Sequence, residues 1–498
     1  SIATKPSVEA LMEVSKTLPA AYALEVNEEK LTAAYGLLEK GDKNEAQEIF
    51  ENLSKANQLS IQAAALNGLF ELSSEKNKFI KEQLEKCDEP ELRKEIIRLV
   101  IKLPDNYKKG SEFFVARDLS VSEKVQLLSI LGDRKDDSIH DEVIDYLKNE
   151  NQDLRLAALE IIPETGSAKD VMLLAETAAA SGGSEKQLAQ SALYTLPGQE
   201  VNQKIISLLP SASPEVKVEL IQAAGERNMT EAAGELFTLA NSENSKVKNE
   251  AIEALGKVAH YSELEKLTGL LSDAGSPRER KALEDAVYLV AVRNPEISKS
   301  SEVIVKGLKN VDNSDNIASL LSILGQIGNP EDYTIIRKYF SHSDEDIQQS
   351  AIRAVAEWPT TQPLDDLHEF LKDESDARQH ALAMKSYLRI VESSGKMGSE
   401  EKIEKLDTAY DLSENLVEKR MIISGYSKVS EPGSLEKLVS IMEVPETRRE
   451  VEMAILELTP EIRERDELVI AQLEKVMVLS DNESFIKRVA EEIKKRSE

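Results

Sequence analysis

The chain has 498 residues, of which 31% are charged, 41% hydrophobic and 4% aromatic, with 21 glycines and 16 prolines. So little glycine and proline excludes collagen-like and low-complexity chains, and the apolar share excludes wholesale disorder. The 91 acidic residues outnumber the 62 basic ones, giving a net charge of −29 that repels nucleic acid and anionic lipid, since phosphate binding needs Lys and Arg to displace counterions.

Three helical patterns open the chain: VEALMEVSKTL, EEKLTAAYGLLEKG and EAQEIFENLSKANQ. They fit the later periodicity poorly and predict an N-terminal helical cap over residues 1–60. From residue 61 to 498 one pattern recurs, an apolar-periodic stretch with alanine inside it that ends in a bulky apolar residue followed by Pro or Gly. Clear copies are RKEIIRLVIKLP (93–104), LRLAALEIIP (154–163), QLAQSALYTLP (187–197), VKVELIQAAG (216–225), VKNEAIEALG (247–256), NIASLLSILG (316–325) and IQQSAIRAVAEWP (347–359). Degenerate copies near Ala63, Lys124, Arg280, Arg378, Leu416, Arg448 and Phe485 bring the number to about fourteen. Their ends, from Leu103 through Leu131, Ile162 and Leu196 to Leu458, follow one another at about 28 to about 39 residues, the range of a two-helix repeat. Shorter helical patterns lie between the copies, as in SELEKLTGLL (262–271) and LDDLHEFL (364–371), so each unit reads helix, turn, helix.

The stretch from Ser245 shows the driving force. Val247, Ala251, Ala254, Leu255 and Val258 share one face at 3.6-residue spacing, with alanines admitting a close neighbour and Lys248, Asn249 and Glu253 pointing elsewhere. Ser245, Asp153 and Asp344 are placed to cap helices, and the Pro or Gly after the stripe to end them. The SGGS loop at 181–184 and the SSGKMGS loop at 393–399 lengthen their units. No stretch alternates with period two long enough to demand a sheet, and no apolar run reaches the roughly 20 residues of a membrane span.

These motifs resemble HEAT repeats, in which a Pro- or Asp-marked turn precedes a V-(K/R)-x-x-A-x-x-A-L-G helix. The resemblance covers nearly the whole chain and implies an all-α fold, a right-handed α-α superhelix of about fourteen helix pairs over residues 61–498. A narrower likeness spans about residues 344–445. There AVAEWP, the ALAMKSYLRIV run at 381–391 and EKRMIISGYSKV are similar to HEAT-repeat regions of secreted Bacteroidota and planctomycete proteins. In those the array accompanies a lectin-like 3-keto-disaccharide hydrolase domain, a β-rich segment that has no counterpart in this sequence.

The search for chemistry yields little. His140, His260, His342, His368 and His380 form no HExxH and no i, i+4 pair for zinc. His–Glu occurs once, at His368–Glu369, whereas the HEAT-like metalloenzyme deoxyhypusine hydroxylase resembles a scaffold bearing several such pairs for two irons. Cys87 is alone, so no intrachain disulfide forms, and the carboxylates of EKCDEP disfavour its thiolate. GxSxG, GxGxxG and GxxxxGK[ST] are absent. Asp312 to Asn316 lacks the glycine of a calcium loop and has Ile323 where the bidentate glutamate belongs. The expectation is a chain that is not an enzyme and needs no metal or cofactor.

The candidate binding residues are Arg353, Trp358, Tyr387 and Arg389, the arginines standing at similar places in successive second helices. Trp358, the one tryptophan, falls on the apolar stripe before Pro359 and is either a core residue or an aromatic at a groove rim. The leading expectation is a non-catalytic scaffold holding a protein or peptide on its concave face, with no nucleic acid and no membrane span. The alternative, from the narrower likeness, is an accessory module beside a carbohydrate-processing domain. The chain starts at Ser1, as a secreted or periplasmic protein does after signal-peptide removal and as a trimmed cytoplasmic protein also does.

Overall fold

The computed structural model describes residues 5–115, 118–356, 358–372, 376–463 and 466–498, so residues 1–4 of the expected cap lie outside it. Among the described residues, twenty-nine α-helices and eleven short 3-10 segments make up the secondary structure, and no strand occurs. The fold is an all-α solenoid of HEAT type.

Most second helices start where a side-chain oxygen meets the free N–H groups of the first turn. Ser120 accepts from the N–H of Glu123 in a capping box, Asn151 from Asp153 and Leu154, Ser213 from Val216, and Asn244 from Lys246 and Val247. With Gly182, which precedes Gly183–Thr195, these positions are 120, 151, 182, 213 and 244, a constant step of 31 residues. Further along, Ser276, Asn313, Asp344, Asp376, Asn415 and Asn482 do the same. Asp344 caps as the sequence predicts. Asp153 and Ser245 do not, because the capping oxygen belongs to the residue before the first turn, here Asn151 and Asn244. Pro163 lies inside Gln152–Thr165 rather than ending it, and Gly183 already belongs to a helix, which shortens the 181–184 loop.

The packing forms two compact units, Ser1–Glu235 and Leu236–Glu498. In the first, Pro90–Arg98, Val121–Asp133, Gln152–Thr165, Gly183–Thr195 and Pro214–Glu226 each pack against the next. Toward the N-terminus, Ala23–Lys40 packs on Leu59–Leu72, and Ala33, Leu37, Phe50, Ile61 and Ala65 share one core. The segment expected to be a cap is therefore continuous in its packing with the first repeat. In the second unit the row runs Ser245–Val258, Pro277–Val292, Ser314–Ile327, Glu345–Ala354, Ala377–Ser393, Leu416–Ser427, Arg448–Leu458 and Glu483–Ser497.

Burial follows the apolar stripe. Val247, Ala251, Ala254, Leu255 and Val258 are all buried. Asn249 is buried too, and Lys248 is half-buried because its Nζ reaches Glu279 Oε1 at 3.2 Å. That pair belongs to a ladder joining the beginnings of neighbouring second helices. In the first unit Arg93 meets Glu123 at 2.5 Å, Arg155 meets Glu185 at 2.8 Å and Lys186 meets Glu219 at 2.6 Å. In the second, Arg280 meets Asp315 at 2.7 Å and Arg420 meets Glu450 at 2.8 Å.

A second ladder joins their ends. Arg134 donates to the carbonyls of Leu103 at 3.0 Å and Pro104 at 2.7 Å, and Arg227 to those of Tyr194 and Leu196, both at 2.8 Å. Arg293 does the same to Lys257 at 2.9 Å and Ala259 at 3.0 Å, and Arg496 to Ile462 at 2.7 Å. Each arginine thus occupies carbonyls that the preceding second helix leaves without an intrahelical donor, where cations also oppose the dipole.

Candidate interaction face

In the second unit each second helix buries one side and exposes a stripe at three- and four-residue spacing. On Pro277–Val292 the stripe carries Lys281, Asp285 and Leu289, and on Glu345–Ala354 it carries Arg353, with the half-buried Gln349 and Ser350 beside it. On Ala377–Ser393 it carries Ala381, Lys385 and Arg389, and on Leu416–Ser427 Val417, Arg420 and Ser424, with Lys428 just beyond the helix end. Three of its large apolar residues are open to solvent, Leu289 at 44%, Val417 at 64% and Met453 at 57%, where folding alone gives no reason to keep them.

The four candidate residues separate by depth. Trp358 and Tyr387 are each 1% exposed and belong to the core. The Trp358 indole packs against Tyr333 with ring centroids 5.9 Å apart and donates its N–H to Gln362 Oε1 at 3.2 Å, so its one polar group is satisfied. Burial, followed by the nearby Asp365 and Glu404 carboxylates, raises the Tyr387 hydroxyl above the ordinary tyrosine value. Neither ring is available to a partner, and the core reading of Trp358 holds. Arg353 and Arg389 are exposed, on second helices that pack against each other.

The two arginines line different depressions. Arg353 borders a hollow of about 450 Å³ across three second helices, with Gln326, Ser350 and Glu284 in its wall and Gly325 and Ala354 in its floor. Its wall is tied internally: Ser322 donates to Glu284 at 3.1 Å, Gln326 to Ser322 at 3.1 Å and Arg353 to Gln349 at 3.3 Å. Arg389 borders a groove of about 530 Å³ between Ala377–Ser393 and Leu416–Ser427, together with Lys385, Arg420, Lys428, Val417 and Met421. Sequence reasoning passed over Lys385, Arg420 and Lys428. The signal was present as basic residues at i, i+4 steps on the exposed stripe, but it emerges only once the two helices are set side by side.

Reactive groups do not converge here. Among the described residues no group of three or more His, Cys, Asp or Glu is placed to hold a metal ion. The Cys87 thiol is pushed up, first by burial and then by Asp88 and Glu89, against the pull of the Glu89 backbone and Arg93. Among the described residues no helix is long and apolar enough to cross a membrane.

A family model of HEAT repeats matches residues 202–287. No curated protein sequence matches. Among solved structures, Kap121p aligns over 91% of this chain and 56% of its own, at 11% identity and a TM-score of 0.47. Kap121p bound to Nup53p aligns over 91% and 57%, at 10% identity and a TM-score of 0.49. Importin beta aligns over 95% and 81%, at 13% identity and a TM-score of 0.37. The chain thus spans little more than half the length of the Kap121p structures it resembles.

Proposed function

We propose that the chain is a non-catalytic interaction scaffold that holds a protein or peptide partner on the concave face made by its second helices. The observation that carries this reading is the exposed stripe of the second unit, which includes the apolar residues Leu289, Val417 and Met453 and the cations Arg353, Lys385 and Arg389. Exposed large apolar residues with arginine among them suit a surface that a partner covers. The solved structures it resembles include Kap121p bound to Nup53p. The accessory role beside a carbohydrate-processing domain gains no comparable support, since sugars stack on exposed rings and Trp358 and Tyr387 are buried.

Photo-cross-linking residues installed in turn at Arg353, at Arg389 and at Glu369, an exposed position on a first helix, test the proposal. Cross-links to a native partner from Arg353 or Arg389 and none from Glu369 are expected. Cross-links from Glu369 alone reject the second-helix face, and turnover of a glycoside panel that is lost on replacing one carboxylate rejects the non-catalytic reading.

A further inference from the structure

The groove between Ala377–Ser393 and Leu416–Ser427 runs against the charge of the rest of the molecule. The chain carries −29 overall, and several of its cations are spent in pairs between neighbouring helices. Here Lys385, Arg389, Arg420 and Lys428 border one hollow of about 530 Å³ that holds a single acid in its lining, Glu392. Glu392 pairs with Lys428 at 2.7 Å, and Arg420 reaches out to Glu450 at 2.8 Å. Lys385 makes no ion pair among the described residues. Lys385 and Arg389 repeat at i, i+4 along one wall, and Arg420 and Lys428 stand two turns apart along the other. Lys385 and Arg389, like charges four residues apart, weaken the helix that carries them. Val417, 64% exposed, and Met421 add an apolar strip on the Leu416–Ser427 side.

Resting on the scaffold reading above, we infer that this groove binds an acidic segment of a protein partner, with Asp or Glu side chains set between the two cationic rows and an apolar side chain against Val417 and Met421. Arginine offers a planar fork that matches a carboxylate and bonds it in two places. The apolar strip sets this site apart from a simple anion trap, because it takes an apolar side chain beside the carboxylates.

Fluorescence anisotropy of the full chain with a labelled twelve-residue peptide of Glu and Asp carrying two leucines tests the inference. Binding is expected, about tenfold weaker in the variant Lys385→Glu/Arg389→Glu and several-fold weaker in Val417→Ser. Both substitutions lie on the exposed stripe, so an unchanged far-UV spectrum accompanies them. A peptide with its leucines replaced by serine should bind more weakly, and one with lysine for every acid should not bind. Equal binding to the wild type and to Lys385→Glu/Arg389→Glu overturns the inference, as does tighter binding of a single-stranded oligonucleotide than of the peptide. If the acidic peptide fails while a native partner still cross-links from Arg389, this inference falls and the scaffold reading stands. If no partner cross-links from either arginine while the peptide binds as expected, the reverse holds.

Discussion

Arg93 shows how one side chain joins neighbouring repeats. Its guanidinium reaches Glu123 Oε1 and also donates to the carbonyls of Leu84 and Cys87, at 2.5 and 3.0 Å. Both members of the pair are buried. Burial works to raise the Glu123 carboxyl, but the Arg93 hydrogen bond and the Ser120 cap outweigh it and hold the group below the ordinary glutamate value of 4.5. A carboxylate depressed by folding contributes stability above its unfolded pKa and loses it as pH falls through the folded one. The stability advantage of the wild type over Glu123→Gln should therefore be full above pH 4.5 and shrink progressively below it, as measured by urea midpoints at several pH values. Removing the partner is harsher, because an uncompensated buried charge remains: Arg93→Met should cost about 3 kcal/mol near neutral pH. A loss within experimental error of zero would mean that water reaches Glu123 and the pair is ornamental.

At the level of elements, the tightest joint lies between Ser314–Ile327 and Glu345–Ala354. A Cβ built on Gly325 would sit 2.2 Å from the Ala354 carbonyl oxygen and 2.6 Å from its Cα, so backbone meets backbone there. Gly325→Ala gains roughly 1 kcal/mol of helix propensity and loses more by forcing the helices apart, for a net destabilisation of about 2 kcal/mol in denaturant titration. The equivalent Gly256 has more room, its Cβ lying 3.1 Å from the Cα of Ala286, and Gly256→Ala should cost distinctly less. The close approach was legible only in part: alanines in the stripe were expected to admit a close neighbour, whereas Gly325, expected to end its helix, lies inside Ser314–Ile327. The buried stripe of VKNEAIEALG was legible, down to Ala251 and Ala254. The neighbours of that stripe were not. Asn249 and Lys248 are drawn inward by the adjacent helix, Lys248 through Glu279, a residue 31 positions away that no local pattern identifies. The same limit applies to the face itself. Arg353 and Arg389 could be placed on the exposed stripe from periodicity, whereas the depth of Trp358 depends on Tyr333 and Gln362, partners that lie outside its own stripe.

Over the whole molecule, the two ladders and the stripe contacts are all between neighbours. A chain stabilised this way gains its free energy as a sum over joints, and nothing obliges distant repeats to unfold together. The single tryptophan makes this measurable. Trp358 is buried in the second unit beside Tyr333, just beyond the helix that closes on Gly325, so its fluorescence reports that neighbourhood alone. The far-UV signal reports every helix. In urea the two probes should give transitions that do not coincide, and Gly325→Ala should lower the fluorescence midpoint by clearly more than the circular-dichroism midpoint. A single cooperative core would move both equally, because every probe would then report the same all-or-none equilibrium. Coincident transitions that shift together in the variant would show that coupling along the array exceeds what its neighbour contacts account for. Divergent transitions would mean that the face carrying Arg353 and Arg389 can loosen locally, and that a partner laid across several second helices stabilises the joints it spans, raising the fluorescence midpoint first.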